Sequence, residues 1–376
     1  MKKFKSLMLA ALASAVLAAP SFAGGHGDGL SMSGEIIVGL KYQTSTPDGG
    51  DTNTQQDTYI GDVNFKLTGS ASESATYAFE FEKDDAGDGS VNFEGTGVAT
   101  SGDNSIKAYG EIQNISDDAM GYGDVYIQGG NKTLTVKIGK FGGSENYAGG
   151  LGYFRAPTFA GLGNIEHILI DPFEGIEVDI AAGDISVEVA VPWMNATADV
   201  GSGYRMEASD GSGPVETNVS GIRPNIKAAL GGVNLSATFY SLTFSPEDSN
   251  VDTVDKSDEA FQLMGSVGAG SATVGLGYTS KTTTNGDTEL TPSTLNGYVT
   301  VGLGSGQQVG ASFEVLEDGT EEDEATATRI SASYATPFFV EAVTLKLGAG
   351  TTTQTSDLAA KSGTSSGFEA EWVYNF

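Results

Sequence analysis

The feature that most constrains the fold of this chain is a period-two alternation of apolar and polar side chains, repeated in pieces of about ten residues. In the first piece, Glu35 and Lys41 lie on the polar face, and the apolar face consists of Gly34, Ile36, Val38, Leu40 and Tyr42. Because successive side chains of a β-strand point to opposite faces, each piece is predicted to be an amphipathic strand. Strands of about 9–11 residues are long enough to cross a bilayer.

The same pattern predicts sixteen strands, an even number as in single-chain bacterial barrels. Their estimated bounds are 33–43, 57–68, 73–83, 122–129, 132–141, 174–182, 184–193, 221–231, 233–243, 259–268, 271–280, 294–304, 307–316, 325–335, 341–352 and 366–376. The segment 84–121 is counted as a long connection. Ser105–Ile115 alternates as well and fits either a further strand or an excursion, which leaves the count open by about two strands.

The connections between these strands alternate in length. Short turns rich in Gly, such as Gly183-Asp184 and Gly231-Gly232, are followed by long polar segments. The long segments are 44–56, 84–121, 142–173, 194–220, 244–258, 281–293, 317–324 and 353–365. Outer-membrane barrels have short periplasmic turns and longer extracellular loops, whereas a soluble β-sandwich has no reason to sort its connections by length. The sequence therefore predicts an all-β fold, a sixteen-stranded antiparallel transmembrane β-barrel.

The N-terminal residues predict export. Three lysines within residues 2–5 precede an apolar stretch, 7–19, and Ser21-Phe22-Ala23 supplies small residues to a signal peptidase. We expect residues 1–23 to be a signal peptide and residues 24–376 to be the barrel domain. The chain has no Cys, so neither disulfides nor thiolate metal sites are available. The expected location is the outer membrane, reached through the periplasm.

The charge of the exported chain restricts its partners. Without the three lysines of the signal peptide, 16 Lys/Arg remain against 49 Asp/Glu, a net charge of −33. Such a polyanion attracts cations and repels nucleic acid, so no nucleic-acid partner is expected. The acidic loop segments Asp84-Asp85, 248–258 and 317–324 could bind Ca²⁺ or Mg²⁺, and through them lipopolysaccharide phosphates. They lack the spacing of an EF-hand, so solvated surface charge is the simpler explanation and no cofactor is expected.

Two segments carry a resemblance to known families. The last strand has its apolar residues on one face, Phe368, Ala370, Trp372, Tyr374 and Phe376. It resembles the C-terminal strand of bacterial outer-membrane proteins, which implies recognition by the barrel-assembly machinery.

The segment Leu134–Tyr147 (LTVKIGKFGGSENY) is similar to the general diffusion porins of α-proteobacteria. That resemblance implies sixteen strands, a homotrimer in the lipid bilayer, and an inward-folded third long loop, here 142–173. It also implies a water-filled channel for passive diffusion of small hydrophilic solutes and ions.

The resemblance further implies a pore constriction in which loop carboxylates face basic residues of the barrel wall. The loop candidates are Glu145, Glu166, Asp171 and Glu174, with Arg155 in the same loop, and the wall candidates are Lys41, Lys66 and Lys137. Carboxylate rings favour cations, so a cation preference is expected. Family walls usually carry an arginine cluster. Here four arginines follow the signal peptide, at positions 155, 205, 223 and 329, which predicts a weaker, lysine-built field.

Two other functions remain open. The acidic loops and the long segments 84–121 and 194–220 also fit a surface-interaction or adhesion barrel, whereas the resemblance implies that 84–121 latches a neighbouring subunit. Aromatic residues of the proposed inward loop also fit a substrate-specific sugar channel: Tyr147, Tyr153, Phe154 and Phe159.

An enzyme is not expected. The two histidines, His26 and His167, lie in a Gly-rich N-terminus and in the proposed inward loop. Gly363–Gly367 matches the G-x-S-x-G pattern of serine hydrolases, but it lacks the strand-to-helix elbow that this chemistry requires.

Overall fold

The structure, a computed structural model, describes residues 31–72, 75–83, 89–116, 119–142, 173–197, 204–319, 325–356 and 362–375. In chain order its strands are β1 (Ser31–Pro47), β2 (Asn53–Ser72), β3 (Ala75–Lys83), β4 (Gly89–Ser101), β5 (Asn104–Ser116), β6 (Ala119–Gly130), β7 (Leu134–Phe141), β8 (Phe173–Ala182), β9 (Ile185–Ala196), β10 (Met206–Glu207), β11 (Pro214–Val215), β12 (Thr217–Leu230), β13 (Val233–Pro246), β14 (Lys256–Ala269), β15 (Ala272–Asn285), β16 (Thr288–Leu290), β17 (Ser293–Gly304), β18 (Gln307–Glu317), β19 (Ala325–Phe338), β20 (Val340–Ser356) and β21 (Gly363–Asn375). The predicted signal peptide, 1–23, lies outside the described residues. No helix in the described part of the chain is long and apolar enough to cross a bilayer.

Eighteen of the described strands close into one antiparallel barrel. Each pairs with the barrel strands that precede and follow it, and β21 returns to pair with β1 along a ladder from Glu35–Asn375 to Pro47–Gly363. Of the remaining three strands, β10 and β11 form a small hairpin and β16 folds back on β15. A closed ring has no unpaired sheet edge, which is the condition for a sheet inside a bilayer.

The predicted all-β antiparallel barrel is confirmed, but the predicted count of sixteen strands is wrong. The two additional strands are β4 and β5, within the segment 84–121 that was predicted to be a long connection. The alternation of β4 is weak because Gly95 and Gly97 occupy outward positions next to Phe93, and Gly has no side chain to mark a face. The predicted latch loop therefore forms barrel wall. The connection 142–172 is the fourth on its side of the barrel, not the third.

The wall presents opposite chemistry on its two faces. Large apolar side chains such as Ile138, Leu276 and Ile330 are exposed on the outside. The intervening positions, which point into the lumen, carry most of the charged and amide side chains of the strands. A wall with lipid on one side and water on the other requires this division. The alternation in the sequence therefore gave the correct face for these strands.

The two ends of the barrel also differ. Two-residue turns join β8 to β9 and β12 to β13, and Gly183, Gly231 and Gly232 adopt positive φ there, of 62°, 58° and 90°. Gly enters this conformation without strain. The opposite end carries the long connections, as the alternation of short and long segments predicted. Glu35 and Asn375 pair near the short-turn end, so both termini of the described barrel lie on that side.

One part of the lumenal face is apolar. Inward positions at the long-loop end of β9, β12 and β13 pack together with two residues of the connection between β9 and β12. The buried cluster comprises Phe141, Phe173, Ala190, Met194, Ala196, Tyr204, Met206, Val219, Tyr240, Leu242, Phe244 and Ala260. The barrel therefore has a hydrophobic core inside its mouth, which the alternation alone did not predict.

Candidate channel lumen

A charged stretch of lumenal wall begins at Lys66 on β2. Its Nζ lies 2.9 Å from Glu94 Oε1 on β4 and 3.4 Å from Glu80 Oε2 on β3. Asn64 donates to the other oxygen of Glu80, at 2.7 Å. One ammonium group is therefore shared between two carboxylates that come from neighbouring strands, which leaves negative charge in excess at this point of the wall.

The excess continues along the next two strands. Glu111 on β5 lies directly opposite Glu94, an arrangement of like charges that is normally destabilising. The backbone N–H of Asp124 on β6 is 3.5 Å from Glu111 Oε2 and donates to it. Glu80, Glu94, Glu111 and Asp124 thus form a row across four adjacent strands, here called the acidic belt.

A second group of lumenal contacts surrounds Lys137 on β7. Its Nζ lies 2.6 Å from Glu177 Oε1 and 4.5 Å from the ring centroid of Phe141. Lys107, two strands away, donates to the hydroxyl of Tyr126 at 3.0 Å. Both lysines are thereby held against the wall by a carboxylate or an aromatic ring, and neither extends into the lumen as an isolated charge.

Aromatic rings connect these strands. Tyr109 and Tyr126 stack with centroids 5.2 Å apart, Tyr126 meets Phe141 edge-on at 6.2 Å, and Phe141 lies 5.0 Å from Phe173. The phenylalanines are buried and the tyrosines are half-buried. A continuous track of four rings therefore crosses β5 to β8, beginning at the acidic belt and ending in the apolar cluster of the mouth.

Two arginines that were not among the predicted site residues hold ion pairs on the lumenal side. Arg223 Nη1 lies 2.9 Å from Glu188 Oε1, and Arg329 Nη1 lies 3.1 Å from Glu314 Oε2. Arg223 is fully buried, and Arg329 and Glu314 are each 2% exposed. The alternation could have found both arginines. Arg329, for example, precedes the outward-facing Ile330, so it must point inward.

The wall opposite the acidic belt is largely neutral. Thr238 donates to Asn225 at 3.3 Å, and Gln262 donates to Thr279 at 3.0 Å. The row continues through Thr294, which lies directly opposite Thr279. Amide and hydroxyl groups, together with paired charges such as Lys281 and Asp258 at 3.6 Å, therefore lie across the lumen from the acidic belt, so that the described lumen is electrostatically asymmetric.

The structure places four of the eight predicted constriction residues. Lys41, Lys66 and Lys137 occupy lumenal positions, Lys41 directly opposite Glu369 on β21. Glu174 is exposed and shares its side of β8 with the outward Ile176, so it lies on the outer face and does not fit a constriction. The other four, and the predicted inward loop that contains them, lie outside the described residues: Glu145, Arg155, Glu166 and Asp171.

The long-loop end carries exposed carboxylates. The pKa of Glu216 is raised above its usual value because its carboxyl group shares a hydrogen bond with the carboxylate of Glu247, whose own pKa is lowered by it. Hydrogen bonds from Asn250 lower the pKa of Asp248. No group of three or more metal-ligating side chains occurs in the described ranges. The segments 84–85 and 320–324, which belong to the acidic loops expected to be able to bind Ca²⁺ or Mg²⁺, lie outside those ranges.

The G-x-S-x-G segment forms the start of strand β21. Ser365 is buried there, and its hydroxyl donates to the backbone carbonyl of Thr44 at 3.1 Å. The predicted connection 353–365 included Gly363, Thr364 and Ser365, and for these three residues the prediction is wrong. A serine fixed in a β-ladder lacks the strand-to-helix elbow of a hydrolase nucleophile. His26 and His167 lie outside the described residues.

No protein-family model matches this chain, and no curated protein matches its sequence. Solved structures do match. An anion-selective porin from Comamonas acidovorans aligns with a TM-score of 0.55 at 10% identity, over 93% of this chain and 100% of that chain. OmpF of Salmonella typhi, in complex with daunomycin, gives 0.52 at 12% identity, over 93% and 98%. OmpT, an outer membrane protein of Vibrio cholerae in its trimer form, gives 0.51 at 11%, over 93% and 100%. At these identities the likeness shows a porin-type barrel fold.

Proposed function

We propose that this chain is an outer-membrane porin that conducts small hydrophilic solutes and ions passively, with a preference for cations. The observation that carries the proposal is the acidic belt inside a closed barrel whose outer face is apolar. The fold alone leaves the sign of selectivity open, since an anion-selective porin has the same fold. Lumenal charge must therefore decide it. The chemistry is diffusion, and we assign no catalytic residue.

The paired state of the wall lysines supports the preference. Lys66 is shared by two belt carboxylates, and Lys137 is neutralised by Glu177. Glu111 and Asp124 add two further carboxylates to the row on the next two strands. Because the protein wall has a low dielectric constant, the field of this excess is focused into the aqueous lumen. Cations are thereby concentrated near the belt and anions are depleted.

The predicted constriction extends this proposal. If the connection 142–172 folds inward as in α-proteobacterial porins, Glu145, Glu166 and Asp171 would add carboxylates opposite the wall lysines. Arg155 would add one basic group to the same loop.

The partners proposed on the same ground are the bilayer, lipopolysaccharide, the barrel-assembly machinery and two further copies of the chain. Light scattering of the detergent-solubilised protein tests the trimer, and a monomeric mass contradicts it.

Reversal potentials across planar bilayers test the cation preference. Wild type in a KCl gradient is expected to give a cation-positive potential. The variant Glu80→Gln/Glu94→Gln/Glu111→Gln should lower the cation/anion permeability ratio about twofold to tenfold, the effect of three charges acting over roughly 10 Å of screened water. Asp51→Asn/Asp287→Asn/Glu289→Gln removes the same charge from exposed connections and should change the ratio much less.

Equal effects of the two triple variants would show that net charge alone matters and would refute the role of the belt. Neutralising Glu145, Glu166 and Asp171 then tests the loop separately. A ratio that this loop variant leaves unchanged, together with a ratio that the belt variant lowers, would place the filter on the wall alone.

The aromatic track favours a second candidate, a channel specific for sugars. Half-buried Tyr109 and Tyr126 lie beside Glu111. The aromatic rings can stack on the apolar face of a pyranose, and the carboxylate can accept hydrogen bonds from its hydroxyl groups. Titrating maltose and larger oligosaccharides into the open channel tests this function. Concentration-dependent block that Tyr126→Ala abolishes supports it, and an unblocked current excludes it for those sugars.

A further inference from the structure

We propose that residues 204–215, here called the mouth strap, form a fixed inner lining of the long-loop opening and set the largest solute that the channel admits. The inference goes beyond selectivity and rests on the proposed function, because its main readout is conduction. It assigns a size filter to the connection between β9 and β12, separate from the connection 142–172.

The strap packs against an apolar patch on the inside of the wall. Met194, Val219 and Leu242 point inward from β9, β12 and β13, since Trp193, Ile222 and Phe239 occupy the opposite side of those strands and are exposed outside. Apolar side chains that face an aqueous lumen are unfavourable unless another apolar surface covers them. The inward side of these strands therefore needs a cover.

Two strap residues provide that cover. Tyr204 is 7% exposed and Met206 2% exposed, and both belong to the same buried cluster as Val219, Tyr240 and Leu242. Gly221 contributes to the fit because it leaves room for the side chain of Leu242, whose Cδ2 would lie 2.6 Å from an added Cβ. The strap thus lies against the inner wall, within the cross-section through which a solute passes.

Hydrogen bonds hold the strap at both sides. The N–H of Met206 donates to Thr217 Oγ1 at 2.9 Å, which attaches the strap to β12. The N–H of Ser209 donates to the carbonyl of Asp252 at 2.9 Å, and the N–H of Val254 donates to the carbonyl of Glu207 at 3.0 Å. These bonds join the strap to the next long connection, 247–255.

Side chains complete the attachment. Lys256 Nζ donates to the carbonyl of Arg205 at 3.0 Å, and the guanidinium of Arg205 donates to the carbonyls of Pro214 and Val215. Arg205 therefore closes the strap on itself. Backbone hydrogen bonds, side-chain hydrogen bonds and apolar contacts all hold the strap in place. It is therefore a fixed structural element, unlike the exposed loop that an adhesion function would require.

Removing the strap tests the inference. Ala196 and Thr217 are direct partners in the β9–β12 ladder, so a Gly/Ser linker of about four residues can replace 198–215 without moving either strand. We expect single-channel conductance to rise roughly twofold and larger polyethylene glycols to enter, because conductance follows the open cross-section. The matched control is Ala208→Cys/Thr253→Cys. These residues are bridge partners, so a disulfide there locks the strap where it already lies.

Oxidised and reduced forms of the locked variant should conduct like wild type. If the wild type conducts and the strap deletion changes neither conductance nor polymer cut-off, the inference is overturned while the porin function stands. If the wild type does not conduct, the proposed function fails, and the position of the strap is then tested by labelling alone.

The chain contains no Cys, so a single introduced Cys can be labelled specifically. In intact vesicles Met206→Cys should react much more slowly with a membrane-impermeant maleimide than Ser212→Cys, which lies at the exposed tip of the strap. Equal rates would show an open surface loop and would refute the inference even if the deletion variant fails to fold.

Discussion

At the scale of single residues, the pair Arg329–Glu314 shows how charges are kept in a barrel wall. Both groups are 2% exposed, and they come from adjacent strands in direct register. Removing two ions from water is costly, and only a close partner compensates for that cost. The loss of one partner should therefore be far more damaging than the loss of an exposed ion pair.

We expect Arg329→Met to lower the free energy of unfolding by about 3–5 kcal/mol, because it leaves the Glu314 carboxylate buried without its ion partner. Urea unfolding of the protein in lipid vesicles, followed by tryptophan fluorescence, measures the change. The double variant Arg329→Met/Glu314→Leu should recover much of the loss. Lys66→Met, at a half-exposed pair, should cost about 1 kcal/mol or less. Equal losses in Arg329→Met and Lys66→Met would contradict the role of burial.

At the scale of elements, glycines decide how strands fit around the lumen. Gly221 on β12 lies under Leu242, and a Cβ there would collide with the carbonyl oxygen of Ser241. Gly97 on β4 has nothing within 4 Å of the same position. Both are strand glycines, yet only the first is required by close approach of the neighbouring strand.

Gly221→Ala should therefore destabilise the barrel by about 1–3 kcal/mol, since the added methyl group forces the β12–β13 ladder apart. Gly97→Ala is the matched control, and it should be neutral or slightly stabilising, because Ala restricts the unfolded chain more than Gly does. The same urea unfolding in vesicles reads out both. A Gly97→Ala loss as large as that of Gly221→Ala would mean that general strand propensity, and not the packing of Leu242, explains the glycine.

At the scale of the whole molecule, the barrel wall separates two solvents. Leu276 lies on the exposed outer face of β15, whereas Thr300 on β17 occupies a lumenal position. Substitution by Arg should therefore be costly at Leu276 and tolerated at Thr300, although the two strands are neighbours in the barrel.

Leu276→Arg should cost about 2–4 kcal/mol of folding free energy in vesicles, because a guanidinium is placed in hydrocarbon. Thr300→Arg should stay within about 0.5 kcal/mol, because its side chain enters the aqueous lumen. Both are compared with wild type in urea titrations of the lipid-embedded protein. A tolerated Leu276→Arg would show that this part of the outer wall faces water or protein, not lipid.

The sequence by itself determined the barrel class, the inward and outward sides of the strands, and the acidic excess, because period-two alternation and charge count are local properties of the chain. It also placed Lys66 and Lys137 in the lumen. It missed β4 because Gly95 and Gly97 interrupt the apolar pattern of its outward face after Phe93, and it misplaced Glu174, whose outward position follows from the alternation of β8 itself.

Only the tertiary structure decided which charges meet and what lies inside the mouth. Lys66 and Glu94 are 28 residues apart, and Lys137 and Glu177 are 40 apart, so their pairing depends on the register of several strands. The mouth strap is likewise invisible to a local pattern, since Met206 becomes buried only when β9, β12 and β13 present one apolar surface. Contacts between distant segments are set by barrel closure, and no short stretch of sequence carries that information.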